Sequence, residues 1–99
     1  MSSDTAILSG SYKKSITLVT IYILQCADNT YYTGITKNLG RRLSEHNRGK
    51  SKSTRDRLPI KLLHTETVTG YKIAAMIERK IKNVGAKKSL IRRMNYNEI

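Results

Sequence analysis

The pattern of apolar and polar residues begins with two segments typical of β-strands. Leu18 to Leu24 is rich in β-branched and aromatic residues, as in a strand that is buried on both faces for much of its length. After a polar turn at Ala27 to Thr30, Tyr31 to Thr36 has the composition of a second strand. The short connection predicts an antiparallel hairpin. Gly34 lies inside the second strand, where a glycine often marks a bulge or a close approach by another backbone or a ligand.

A helix and a third strand follow the hairpin. Asn38 is suited to cap a helix from Leu39 to about Asn47, and Gly49 is placed to end it. Pro59 then opens a strand from Ile60 to about Thr67.

The last third of the chain predicts two helices. In Tyr71 to Val84 the apolar residues recur at spacings of three and four, namely Ile73, Met76, Ile77, Ile81 and Val84. A shorter helix, Lys87 to Met94, is expected to pack Leu90, Ile91 and Met94 and to turn Lys87, Lys88, Arg92 and Arg93 to solvent. The order β-β-α-β-α-α predicts an α+β fold, a small three-stranded antiparallel sheet flanked by helices. We expect one domain, residues 17–96, after a flexible leader, residues 1–16.

Charge adds information about partners. The 99 residues include 19 Lys and Arg against seven Asp and Glu, a net charge of +12. A field of this sign favours a polyanion, with nucleic acid as the first candidate and an acidic membrane surface as the second. No apolar run approaches the ~20 residues of a membrane span. The single cysteine, Cys26, is expected to be a core thiol in a reducing compartment, and with no secretion signal apparent we expect an intracellular protein.

The cations concentrate in one segment. Between Arg48 and Arg57 no apolar residue occurs, and five Lys and Arg face one acid, Asp56. This pattern predicts an exposed basic loop. Such a loop contacts the phosphate backbone, which positions a protein on nucleic acid without reading its sequence.

A small set of polar residues suits phosphodiester hydrolysis. The chain has no Cys/His metal cluster, phosphate-binding glycine loop or nucleophile elbow. It does place Tyr22 and Tyr32 on adjacent predicted strands, Arg42 and His46 one helical turn apart, and Glu78 on the long helix. Hydrolysis of a phosphodiester needs a base for water, a cation for the phosphate charge and a carboxylate for a divalent metal. With one such carboxylate, the site is limited to about one ion.

Each of these residues has a purely structural alternative. Tyr22 is equally suited to be a core tyrosine, and His46 to be a favourable cation at a helix end. Arg41 competes with Arg42 for the phosphate. Glu78 is able to pair with a cation of its own helix, namely Lys72, Arg79 or Lys82.

Four short motifs together resemble the GIY-YIG nuclease superfamily. In order they are Thr20-Ile21-Tyr22, Tyr32-Thr33-Gly34, Leu39 to Asn47, and Ala74-Ala75-Met76-Ile77-Glu78. The resemblance runs from about Thr17 to Lys88 and is greatest to the small stand-alone branch related to the nuclease domain of Slx-type endonucleases. Two positions depart from the pattern: Thr20 replaces the first glycine, and Ile35 stands where some branches have a lysine. The second departure gives more weight to His46.

The resemblance implies a role for each matched residue. Tyr22 would be the candidate general base, with His46 accepting its proton. Tyr32 would position the water or the scissile phosphate and share the acid-base role. Arg42 would stabilise the growing phosphate charge, and Glu78 would bind a single Mg²⁺ or Mn²⁺ ion, which prefers oxygen ligands.

The resemblance also implies a DNA surface. Gly34 would let the sheet approach the substrate closely. The other expected nucleic-acid contacts are Arg41, Arg48, Lys50, Lys52, Thr54, Arg55, Arg57, Arg79 and Lys82. The leading hypothesis is therefore a divalent-metal-dependent DNA endonuclease for branched, flapped or single-stranded DNA, with little sequence specificity and with a protein partner as one source of specificity. The alternative is a non-catalytic module that binds DNA or RNA.

Overall fold

The computed structural model describes residues 16–98, with side chains as far as Met94. The predicted leader, residues 1–16, therefore lies outside the described residues except for Ile16. The elements are β1 (Leu18–Gln25), β2 (Tyr31–Thr36), α1 (Leu39–Asn47), a 3-10 turn (Arg55–Arg57), β3 (Lys61–Thr69), α2 (Tyr71–Val84) and α3 (Ala86–Glu98). This order confirms the predicted α+β fold. No helix among the described residues is long and apolar enough to cross a membrane.

The strand β1 lies at the centre of the sheet, which has the order β2-β1-β3 with both pairs antiparallel. Its central place explains why the β1 segment carries so many apolar residues: both faces are covered, and the side chains from Ile21 to Leu24 are fully buried. The register sets Tyr22 opposite Gly34 on β2 and opposite Thr65 on β3. Cys26, just after β1, is buried as predicted.

The helices α2 and α3 cover one face of the sheet. The core on that face consists of Val19, Ile21 and Ile23 from β1 with Ala74 and Ile81 from α2. Successive side chains of a strand point to opposite faces, so Tyr22 points to the other face. The face of the sheet that carries Tyr22 therefore lies on the opposite side from the main core.

The buried side of α2 differs from the predicted one. Ile73 and Met76 belong to the predicted apolar stripe, but they are 50% and 62% exposed. The face that contacts the sheet passes through Ala74, Ile77 and Ile81 instead. The spacing of apolar residues predicted the helix correctly, but it did not show which of two overlapping apolar faces is buried. The buried face is the one that contains the small Ala74.

Two expectations for the last helix were wrong. Ile91 and Met94 are 49% and 59% exposed, and Ser89 is buried beside the half-buried Leu90. Arg93, expected in solvent, forms an ion pair with Glu66 on β3. Burial pushes the pKa of Glu66 upward, but the hydrogen bonds from Arg93 and His64 outweigh it and hold the pKa below its usual range.

Candidate active site

The capping of α1 determines where its functional side chains project. The side chain of Asn38 accepts a hydrogen bond from the backbone N–H of Arg41 at 3.0 Å, as predicted for a helix start. From this start Arg42 and His46 lie one turn apart on the same side of the helix. His46 is fully buried, whereas Arg42 remains partly exposed.

A buried hydrogen bond joins α1 to the centre of the sheet. The hydroxyl oxygen of Tyr22 lies 3.1 Å from Nε2 of His46, and both side chains are 0% exposed. Because Tyr22 points away from the main core, this bond places α1 on the face opposite α2 and α3.

The second nitrogen of His46 bonds the basic loop. Nδ1 lies 2.7 Å from Oγ1 of Thr54, whose side chain is also fully buried. Ser51 is buried as well, so the loop predicted to be exposed turns inward at two uncharged residues, while four of its five cations are exposed, namely Arg48, Lys50, Lys52 and Arg55. Thr54 therefore contacts the buried histidine of the site, and the prediction that it lies at the nucleic-acid surface was wrong. The sequence signal that was missed is the spacing of these two hydroxyl residues among cations.

Gly34 provides room for the tyrosines. A Cβ atom at this position would lie 2.6 Å from the hydroxyl oxygen of Tyr22 and 3.0 Å from Cε2 of Tyr32. The hydroxyl of Tyr22 thus occupies the space that a side chain at this position would need, and the close approach of the substrate to the sheet at Gly34 stays a prediction. Tyr32 is partly exposed, and its ring centroid lies 5.1 Å from that of His46 and 6.1 Å from that of Tyr22.

The two neighbouring arginines have different surroundings. Arg42 donates a hydrogen bond to Glu45 at 2.9 Å and lies beside Tyr22 and Tyr32. The pKa of Arg42 is raised mainly by the hydrogen bond with Glu45 and secondly by the contact with Tyr22. Arg41 has a 67% exposed side chain and lies 3.8 Å from Glu45. Arg42 is thus the arginine at the tyrosine cluster, and Glu45 is a residue of the site that the sequence analysis did not identify.

Burial sets the protonation states of the Tyr22–His46 pair. Burial raises the pKa of Tyr22 to about 12, although Arg42 opposes the shift. Burial and the nearby Arg42 lower the pKa of His46, with Glu45 opposing them. At neutral pH the pair therefore consists of a protonated phenol and a neutral imidazole. Of the two groups, the neutral imidazole is therefore the one able to accept a proton.

No hydrogen bond or ion pair joins Glu78 to this cluster in the described part of the chain. Its side chain is 22% exposed and pairs with Lys82 at 3.3 Å, which is one of the structural alternatives considered above. No group of three or more His, Cys, Asp or Glu residues lies close enough to hold a metal among residues 16–98. A single carboxylate still fits Mg²⁺, which commonly keeps several waters and takes one or two carboxylates.

Most of the predicted DNA contacts lie on the surface. The exposed ones are Arg41, Arg48, Lys50, Lys52, Arg55, Arg79 and Lys82. Arg57 is half-buried: it donates a hydrogen bond to Oγ1 of Thr30 at 2.7 Å and another to the backbone oxygen of Ser53. Arg57 therefore ties the basic loop to the turn of the hairpin.

Comparison with known proteins extends this picture. The family model described as the GIY-YIG catalytic domain matches residues 18–97. UPF0213 proteins of Natronomonas pharaonis and Syntrophus aciditrophicus are 44% and 43% identical to this chain, over 69% and 71% of it and 81% and 83% of their own lengths. The solution NMR structure of the UPF0213 protein BH0048 from Bacillus halodurans has a TM-score of 0.50 at 33% identity, covering 78% of this chain and 84% of that one.

The fold, the tyrosine cluster and the match over residues 18–97 define the class: the chain belongs to the GIY-YIG family. A GIY-YIG catalytic domain is a nuclease domain and implies endonuclease activity on DNA, and nucleases of this family generally use divalent metals. Within the family this chain is similar to the UPF0213 proteins, which are small single-domain members.

The space at Gly34 predicts a clear difference between two glycine substitutions. We expect Gly34→Ala to displace Tyr22 and to destabilise the fold by about 1–3 kcal/mol, the usual effect of overpacking a core. Gly40→Ala is the matched control: it lies in α1, and a Cβ atom there would come no closer than 3.8 Å to Asn38, so stability should be unchanged or higher. Urea unfolding measures both. Equal effects of the two substitutions would contradict the packing described here.

The lowered pKa of His46 predicts a loss of stability in mild acid. The unfolded chain, with a histidine pKa of ~6.5, binds a proton before the folded chain does, so stability is full above pH ~6.5 and falls as the pH decreases below it. The groups that face His46 are Tyr22, Tyr32, Arg42 and Glu45. Carboxylates whose pKa values are lowered in the fold, Glu45 and Glu66, titrate at lower pH.

Urea midpoints between pH 8 and pH 5 test this expectation. The wild type should lose stability below pH ~6.5, and His46→Gln should remove most of that dependence because glutamine does not titrate. His64→Gln is the control and should retain the dependence. A midpoint that is independent of pH in the wild type would show that His46 is not buried as a neutral group.

Proposed function

We propose that this chain is a divalent-metal-dependent DNA endonuclease that cleaves phosphodiester bonds by water attack. The observation that carries the proposal is the buried hydrogen bond of 3.1 Å between Tyr22 and His46. It supplies a neutral imidazole, held in place, as the acceptor for the proton of the attacking water. Family membership and the net charge of +12 support DNA as the substrate.

Burial divides the tyrosines between two roles in this proposal. Tyr32 is partly exposed and meets the water, whereas Tyr22 is fully buried, packs against the Tyr32 ring and bonds His46. The water transfers a proton to the Tyr32 oxygen as the Tyr32 proton passes to Tyr22 and the Tyr22 proton passes to Nε2. No free phenolate is formed, which avoids the cost of ionising a phenol whose pKa is about 12. A positioned base of this kind typically contributes ~10²–10⁴-fold to the rate.

Arg42 and Glu78 complete the proposed site. The water oxygen forms a bond to phosphorus, the bond to the leaving oxygen breaks, and the leaving oxygen takes a proton from solvent. Arg42 leaves its hydrogen bond with Glu45 to stabilise the charge on the phosphate. Glu78 would hold one Mg²⁺ or Mn²⁺, which supplies Lewis-acid stabilisation of that charge. For this the carboxylate must exchange its ion pair with Lys82 for the metal.

The substrate preference we propose is for branched, flapped or single-stranded DNA. The exposed contacts expected for DNA are lysines and arginines, which in a basic loop bind phosphate without reading bases. The family domain takes up residues 18–97, nearly all of the described chain. In this proposal DNA shape or a protein partner supplies the specificity.

One observation favours a second candidate, a basic module that binds DNA or RNA without cutting it. Glu78 is paired with Lys82, and the described residues contain no group of three or more His, Cys, Asp or Glu that could hold a metal. Such a module would bind nucleic acid equally well in EDTA and in Mg²⁺.

A cleavage assay distinguishes the two functions. A pool of branched, flapped, single-stranded and plain duplex DNA is incubated with Mg²⁺ or Mn²⁺. Glu78→Gln is expected to cleave at least ~100-fold more slowly than the wild type, which corresponds to an activation free energy higher by a few kcal/mol. Asp28→Asn, which removes one charge in the turn and keeps an oxygen for Thr30, should cleave like the wild type. Equal nicking by wild type and Glu78→Gln would show contamination and overturn the proposal, and metal-independent binding without cleavage would establish the second candidate.

A further inference from the structure

The protonation pattern of His46 depends on the two hydroxyl groups that contact it. In a neutral imidazole one nitrogen carries a proton and the other accepts one. Tyr22 lies at Nε2 and Thr54 lies at Nδ1. Either hydroxyl is able to donate or accept, so these two bonds alone allow two tautomers.

Arg42 favours one of the two tautomers. A guanidinium group only donates hydrogen bonds. Arg42 lies close to Tyr22, and its positive charge favours the orientation in which the lone pairs of the Tyr22 oxygen face Arg42 and the Tyr22 proton faces His46, 3.1 Å away. Nε2 then accepts that proton, which requires the imidazole hydrogen to be on Nδ1. At 2.7 Å, Oγ1 of Thr54 is in place to accept this hydrogen.

We propose that Thr54 is a positioning residue, which holds His46 in the tautomer with its hydrogen on Nδ1 and so leaves Nε2 free to receive the proton of Tyr22. Its catalytic consequence rests on the proposed nuclease function, whereas the tautomer itself does not. When Nε2 gains a proton, the imidazolium still donates Nδ1–H to Thr54, so no rearrangement of the loop is needed.

The location of Thr54 connects this tautomer with the basic loop. Thr54 is the buried residue between the exposed cations Lys52 and Arg55. Its backbone N–H bonds the oxygen of Ser51 at 3.2 Å, and its backbone oxygen accepts from the N–H of Arg57 at 2.8 Å. The loop expected to contact phosphates therefore also holds the proton acceptor. A shift of this loop would lengthen the bond to Nδ1 and reduce the fraction of His46 in the competent tautomer.

The tautomer is observed directly by NMR of ¹⁵N-labelled histidine at pH 8. The chain has two histidines, and His46→Gln assigns the signals of each. We expect the wild type and Thr54→Ser to carry the hydrogen on Nδ1 of His46. Thr54→Val removes the acceptor and leaves a buried N–H unpaired, so we expect the hydrogen to move to Nε2. Thr69→Val, on the exposed edge of β3, is the matched control and should leave the spectrum unchanged.

Single-turnover cleavage as a function of pH supplies the catalytic measurement. Thr54→Val should reduce the plateau rate by at least ~10-fold, within the range contributed by a positioned base, with little change in DNA affinity. Thr54→Ser should retain a rate within about threefold of the wild type, because its hydroxyl still accepts from Nδ1. A merely structural role for Thr54 would change the stability of the protein without changing the tautomer.

The outcomes separate this inference from the proposed function. A wild-type His46 with its hydrogen on Nε2, or a Thr54→Val variant with an unchanged tautomer, would overturn the positioning role whatever the activity. A tautomer that changes as expected in a protein that does not cut DNA would support the positioning role and refute the nuclease. If Thr54→Val does not fold, the wild-type spectrum and the Thr54→Ser spectrum still decide the question.

Discussion

The hydrogen bond between Tyr22 and His46 is the contact on which the functional half of the molecule depends. It joins the central strand to α1, and the second nitrogen of His46 joins both to the basic loop through Thr54. Gly34 makes the arrangement possible, because any side chain there would take the place of the Tyr22 hydroxyl. No buried side-chain polar atom in the described part of the chain lacks a partner, as the high cost of an unpaired buried group would require.

The same burial that stabilises this chain of hydrogen bonds determines its chemistry. It raises the pKa of Tyr22 and lowers that of His46, so the phenol keeps its proton and the imidazole is free to take one. The partly exposed groups, Tyr32 and Arg42, lie on the outer side of this pair, where they are able to meet a phosphate. In the proposed reaction the exposed groups contact the substrate, and the buried Tyr22–His46 pair accepts the proton.

Features that depend on local sequence pattern were predicted correctly from the sequence. Features that depend on packing between elements distant in the sequence were not. The elements were predictable because capping by Asn38 and the composition of β1 are local signals. Motif spacing likewise identified Tyr22 and His46 before their contact was visible. The inward turn of Thr54 was not predictable, since it depends on a histidine from another element. For the same reason the pairing of Arg93 with Glu66, 27 positions away, was missed.

A double-mutant cycle on single-turnover cleavage, combining Tyr22→Phe with Thr54→Val, tests the central claim most directly. The two side chains bond opposite nitrogens of His46, so a single proton-accepting unit predicts strongly non-additive losses. The double variant should then cleave hardly more slowly than the slower single variant. Losses that multiply, so that the double variant is slower by the product of the two single effects, would show that Tyr22 and Thr54 act independently and would contradict the account.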